Sequence, residues 1–220
     1  MNIAIIGSNR GIGLALTKLY AQNAQNKIYA FCRQASPELS ALEVEVIEGC
    51  DVGNADSLKD SAQKVKDLNF DLFIHVSGIL YRESYEDINA KTIQEQLLIN
   101  SLAPIQCVKA FDKNLGKGSK LGLVTSRMGS IQDNDSGGMY GYRMSKAALN
   151  AGGKSLALDL KDRGISVFLL HPGYVKTDMT GGKGNMTPEE SAEGITNVLA
   201  KHDLSDSGTF WHANGEELPW

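Results

Sequence analysis

Tyr142 and Lys146 stand four residues apart in the run Tyr142-Arg143-Met144-Ser145-Lys146. On a helix that spacing stacks them on one face. An ammonium beside a phenol stabilises phenolate and lowers the phenol's pKa, so the tyrosine can serve as acid or base near neutral pH. Tyr140 lies six residues from Lys146 and falls on another face. A lone Tyr-x-x-x-Lys pair is common by chance and is more often surface decoration, so other residues must decide. Ser126 closes the apolar run that begins at Leu121. Asn100 sits among Ile93, Leu97, Pro104, Cys107 and Phe111 on one helical stripe, where a buried amide needs partners. Pro104 lacks an N–H, so the carbonyl of Asn100 loses its helical donor and the helix should kink. A carbonyl freed in this way could hold an ordered water; the alternative is a proline that merely bends a helix.

A second constellation is Gly7-Ser8-Asn9-Arg10-Gly11-Ile12-Gly13, which follows the apolar run Ile3-Ala4-Ile5-Ile6 and opens a helix. Gly7 suits a tight turn, Gly11 lets backbone approach a pyrophosphate, and Gly13 allows close helix packing. The helix N-terminus would present free N–H groups to the anion. The spacing is Gly-x-x-x-Gly-x-Gly, not the usual Gly-x-Gly-x-x-Gly, and a purely structural turn would also show three glycines. In an NAD site a carboxylate about 20 residues further on grips the ribose. Arg33 occupies that place here, and no Asp or Glu stands between Lys27 and Ser36. Arg33 together with Arg10 would suit a 2′-phosphate, which favours NADP(H) over NAD(H). The alternative is two solvated surface arginines. Asp51, in Gly49-Cys50-Asp51-Val52, could accept from an adenine amino group, or act as a turn or capping residue.

All these residues fall at the ends of apolar runs, and those runs alternate with helical patterns. Strands are expected at 3–6, 28–31, 44–47, 71–76, 121–125, 165–170 and 209–212. Helices are expected over 14–24, 57–68, 90–115, 142–162 and 187–201, the last opened by the capping box Thr187-Pro188-Glu189-Glu190. Continuous apolar strands, each followed by a helix, indicate a parallel sheet covered on both faces. The expected fold is therefore α/β: a doubly wound Rossmann arrangement of about seven strands, with ligands outside the strands' carboxyl ends.

Composition bounds the function. The 220 residues suit one domain spanning 1–220. A net charge of −4 argues against nucleic acid as the main partner, since phosphate binding needs a basic surface. Cys32, Cys50 and Cys107 make no Cys-x-x-Cys pair, and read as buried free thiols in a reducing cytoplasm. No apolar run reaches the ~18 residues of a membrane span, and no secretory leader pattern opens the sequence. No metal site is expected.

Together these residues resemble the short-chain dehydrogenase/reductase family. Gly7-x-x-x-Gly11-x-Gly13, Asp51-Val52, Asn100, Ser126, Tyr142-x-x-x-Lys146 and Pro172-Gly173 stand in the family's order. The stretches Tyr142–Asn150 and His171–Met179 are most similar to the sniffer-type carbonyl reductase and C-factor-like group. The resemblance implies hydride transfer between NADP(H) or NAD(H) and a carbonyl or alcohol. It implies that Tyr142 exchanges the proton and that Lys146 tunes Tyr142 and binds the nicotinamide ribose. Ser126 would then bind the substrate oxygen, and Asn100 would hold a linking water. Ser77, Gly78, Pro172, Gly173, Val175 and Thr177 would join the glycine turn around the cofactor. Two departures stand out. Ile6 replaces the family's Thr, and His75-Val76-Ser77-Gly78 replaces Asn-Asn-Ala-Gly, with His75 read as a structural donor rather than a base. Residues 177–187 fall where the family places its substrate-covering loop, and their glycines suggest a mobile lid. A homodimer or homotetramer built on the two long helices is also implied. The competing function is a dinucleotide-binding sensor or signalling protein of the C-factor-like type with little catalysis.

Overall fold

In a computed structural model describing residues 1–220, the apolar runs become β1 (Asn2–Ile6), β2 (Lys27–Phe31), β3 (Glu45–Ile47), β4 (Leu72–His75), β5 (Lys120–Val124), β6 (Ser166–His171) and β7 (Thr209–His212). They form one parallel sheet in the order β3-β2-β1-β4-β5-β6-β7. The order reverses between β1 and β4, which opens a crevice at their carboxyl ends. Ile6 is in register with Phe31 on one side and His75 on the other, and His75 with Leu123. The residues after these positions therefore meet along one edge.

Side chains alternate across the sheet, so each strand feeds two cores. Ala4, Ile6, Phe73, Leu121, Leu123 and Leu169 join one cluster; Ile3, Ile5, Ile74, Phe168 and Leu170 join the other. Helices α1 (Gly11–Ala21) and α7 (Pro188–Lys201) pack together over the second. Helices α3 (Ala55–Lys64), α5 (Ala103–Ala110) and α6 (Tyr140–Asp159) lie over the first, and α4 (Ala90–Leu97) packs against α6; α2 (Pro37–Ser40) is one turn capped by Ser36. Phe111 anchors the first core edge-on to Phe31 at 5.1 Å and tilted against Phe73 at 5.4 Å.

The expected helix over 90–115 is not continuous. A π turn, Leu98–Leu102, joins α4 to α5, with Ala103 N–H bonded to the Leu98 carbonyl. Pro104 offers no N–H to the carbonyl four residues back, and the wider turn takes up the mismatch. Thr187 and Glu190 form the expected reciprocal cap of α7, at 2.7 and 3.1 Å. The three cysteines are free and buried. No helix is long and apolar enough to cross a membrane.

Candidate active site

Helix α6 presents Tyr142 and Lys146 on its inner face, 9% and 4% exposed. Ser126, just past β5, caps a 3₁₀ turn over Arg127–Gly129, its Oγ accepting from Met128 N–H at 3.2 Å. Lys146 Nζ donates to the Val124 carbonyl at 3.0 Å and lies 5.8 Å from the centre of the Tyr142 ring. Burial pushes the Tyr142 phenol up to about 12, opposed by the nearby Ser126 hydroxyl. Burial also pulls Lys146 down to about 8. The depressed phenol expected from the i, i+4 spacing is thus not what this structure holds. Desolvation outweighs the ammonium, whose proton goes to a strand carbonyl instead of to the phenol. What stands ready is a protonated phenol beside a lysine whose charge is easily lost.

Asn100 lies in the π turn, fully buried. Its Nδ2 donates to the Ile79 carbonyl at 2.8 Å and to Ser145 Oγ at 3.0 Å, while Oδ1 accepts from Ile79 N–H at 2.8 Å. The amide therefore ties the loop after β4 to α6, and any water-holding role falls to the main-chain carbonyl. A Cβ at Gly78 would lie 3.2 Å from Asn100 Oδ1 and 3.7 Å from Lys146 Nζ, so these three converge. Sequence reasoning missed Glu83. This buried carboxylate accepts from Thr92 Oγ1 and Gln96 Nε2, both at 2.9 Å, and from Gly141 N–H at 3.1 Å. Its carbonyl accepts from Met139 N–H at 2.8 Å. Glu83 so fastens the start of α6, one residue before Tyr142. Its partners lie 9 to 58 residues away, and no local pattern marks it.

The glycine turn is a cradle that side chains would fill. A Cβ at Gly7 would lie 2.5 Å from Ser77 Oγ, and one at Gly13 would collide with the Gly7 carbonyl. Ser8 Oγ donates to the Phe31 carbonyl at 3.1 Å. Asn9 accepts from Ser36, through Oδ1 at 2.5 Å and through its carbonyl at 3.1 Å. No side chain caps α1 and no acid lies in its first turn, which leaves that end open to an anion. Ile12, Gly173, Val175 and Thr177 line the cavity beside Tyr142, and the methyl of Thr177 would lie 3.3 Å from a Cβ at Gly11. Pro172 turns its carbonyl to Ser191 Oγ at 2.7 Å. Bare backbone, an uncapped helix end and a lining from the β6 loop fit a dinucleotide.

The remaining expected residues take varied positions. Arg10 Nη1 meets Asp178 Oδ2 at 3.1 Å, bridging the glycine turn to the loop after β6. Arg33 is exposed, and its side chain makes no hydrogen bond within the chain. Asp51 is a turn residue, with Oδ1 accepting from Gly53 N–H at 3.0 Å, and Val52 is buried in the core. His75 is held neutral, near 3, by burial and then by the charge of Lys146; it is no base. The segment expected as a lid has a paired stem. Val175 bridges Met186, and Lys176 N–H donates to the Met186 carbonyl at 2.9 Å.

The cavity encloses about 430 Å³ between this cradle and Tyr142. Leu80, Met128, Met139 and Met179 give it apolar walls, and Arg82, Arg127 and Arg143 border it. A second cavity of about 420 Å³ continues past Arg127, His171, Gly173 and Tyr174.

Comparison with known proteins agrees with this geometry. A family model described as enoyl-(acyl carrier protein) reductase, of the short-chain dehydrogenase type, matches residues 6–202. A 1-hydroxy-2-glutathionyl-2-methyl-3-butene dehydrogenase from Rhodococcus is 35% identical, over 99% of both chains. The C-signal protein of Myxococcus xanthus is 38% identical over 61% of this chain and 82% of its own. Among solved structures, the carbonyl reductase Sniffer of Drosophila melanogaster superposes with a TM-score of 0.92 at 28% identity, covering 100% of this chain and 99% of that one. The NADPH-bound carbonyl reductase from chicken fatty liver gives 0.91 at 27%, covering 100% and 98%. With its seven-stranded sheet, its glycine cradle and a relative matched end to end, the chain belongs to the short-chain dehydrogenase/reductase family of oxidoreductases.

Proposed function

We propose that the protein interconverts a carbonyl compound and an alcohol with NADP(H), using Tyr142 as the proton-exchanging group. The observation that carries this reading is that Ser126 and Tyr142 share one cavity wall beside the glycine cradle, with Lys146 Nζ buried 5.8 Å from the Tyr142 ring. When bound, the dinucleotide supplies the hydride chemistry. The chain supplies the rest. Ser126 orients the carbonyl oxygen toward the phenol. Tyr142 gives its proton to that oxygen in reduction and takes it back in oxidation. Lys146 lends positive charge while the phenol is ionised, and a water held at the Asn100 carbonyl links it to solvent.

The preference for NADP(H) rests on Arg33 at the end of β2, on the lack of an acid there, and on the NADPH-bound chicken relative. Residues 1–220 are read as one dinucleotide-binding domain, acting in the cytoplasm as a homodimer or homotetramer. The likeness to C-signal favours a second reading, a dinucleotide sensor with little turnover. The test is NADPH oxidation against aldehydes, ketones and quinones, with a glutathionyl-bearing alcohol assayed in the oxidative direction. Turnover that Tyr142→Phe abolishes supports the oxidoreductase. Tight NADPH binding with no turnover on any substrate supports the sensor. Arg33→Ala is expected to narrow the NADPH-over-NADH affinity ratio, and an unchanged ratio would mean that Arg33 does not set the preference.

A further inference from the structure

The two cavities adjoin, and the second lies beside the first as a side branch with shared walls. Both touch Arg127, His171, Gly173 and Tyr174, and only the first contains Ser126 and Tyr142. The side branch is further lined by Asn185, Met186, His212 and Asn214, and no acidic residue lines it. No residue of the glycine turn reaches it either, so it lies apart from the cradle proposed for the cofactor phosphates.

Arg127 stands at the junction, one residue from Ser126. Its Nε donates to Asp133 Oδ2 at 2.7 Å, which fixes the plane of the guanidinium. Its two terminal nitrogens make no hydrogen bond within the chain, leaving a positioned fork of the kind that grips a carboxylate. The histidines beside it add donors. His212 Nδ1 accepts from Asn214 N–H at 2.9 Å, so the neutral ring carries its proton on Nε2. His171 packs edge-on against that ring at 4.8 Å, and its buried Nδ1 has no partner. Arg82 and Arg143 line the main cavity, where Asp133, already engaged by Arg127, is the lone acid. Glu216 also acts on Arg127 and His212 but lines neither cavity.

We propose that the side branch receives a carboxylate at the far end of the substrate, bound by the free fork of Arg127. This rests on the oxidoreductase reading and narrows it to carbonyl or alcohol substrates that carry a distal acid.

The test compares ω-oxo acids of four to eight carbons with their methyl esters, as kcat/KM for NADPH-dependent reduction. At the best length the acid is expected to exceed its ester by tenfold or more. That ratio should fall toward one in Arg127→Met and be partly restored in Arg127→Lys. Esters that match or beat the acids at every length, or a ratio unmoved in Arg127→Met, would overturn the proposal. A binding arm separates it from the reading beneath. Adipate is titrated calorimetrically into the protein saturated with NADP⁺. Adipate binding that Arg127→Met abolishes supports the carboxylate site even if no carbonyl is turned over, and then only the oxidoreductase reading falls. Ester reduction without adipate binding defeats the carboxylate site alone, and neither turnover nor binding defeats both.

Discussion

A buried phenol held near 12 and a buried ammonium held near 8 make opposite demands on pH. Tyr142 stays protonated across the neutral range, as a proton donor must. Lys146 loses its charge as pH rises through about 8, and with it goes the stabilisation of the phenolate left by proton transfer. The kcat/KM for carbonyl reduction, which reports the free enzyme, should therefore decline above pH about 8. In Lys146→Met it should be low and lack that decline, and a pH profile of the two proteins checks this. Tyr142→Phe should lower kcat by about 10²–10⁴-fold, the usual worth of a positioned acid, with the NADPH dissociation constant little changed. The placement of Tyr142 and Lys146 on one helix face and of Ser126 at a strand end was legible in the sequence, because a four-residue spacing and a strand end are local facts. The bridge from Arg10 to Asp178 was not legible, because the two stand 168 residues apart along the chain. The phenol's direction of shift was misread, since spacing carries no information on how deeply the pair is buried.

At the level of elements, the alternation of strands and helices was readable because parallel strands must be apolar on both faces. The break in the helix over 90–115 was readable only in part: Pro104 announces a disturbance, but the backbone's choice of a π turn depends on packing against α6. Least visible was the fastening of α6 itself. Glu83 holds its first turn through contacts that no short window contains. Glu83→Ala should cost about 2–3 kcal/mol, from lost hydrogen bonds to a buried carboxylate. It should appear as a lower urea midpoint at unchanged m. Because Tyr142 is the next residue after Gly141, kcat should fall further than KM rises, which steady-state kinetics can separate.

For the whole molecule, acid is the weak direction. Burial holds His75 and His171 near 3 in the fold, whereas an unfolded histidine titrates near 6.5. Below pH 6.5 the unfolded chain takes up protons that the fold refuses. Stability is thus fully present above 6.5 and lost as pH falls toward 3, by up to about 1.4 kcal/mol per pH unit for each histidine. Denaturant titrations at pH 7 and pH 5 should show the loss, and His75→Asn should shrink it. Assembly can be checked on the outer face of the long helices. Leu98 and Leu102 are exposed there one turn apart, and Met144 and Leu158 are exposed on α6. If that face joins two copies, Leu102→Glu should shift the sedimentation coefficient toward that of a monomer.

The bridge from Arg10 to Asp178 has one more consequence. It links two loops on either side of the cradle, and both partners are at least three-quarters exposed. A pair so open to water is worth only about 0–1 kcal/mol and weakens as salt is added. The ease with which a dinucleotide enters and leaves should therefore depend on ionic strength, up to about fivefold in its exchange rate. If product departure limits the cycle, the protein would turn over faster in a salty medium than in a dilute one, by a latch that has no part in the chemistry.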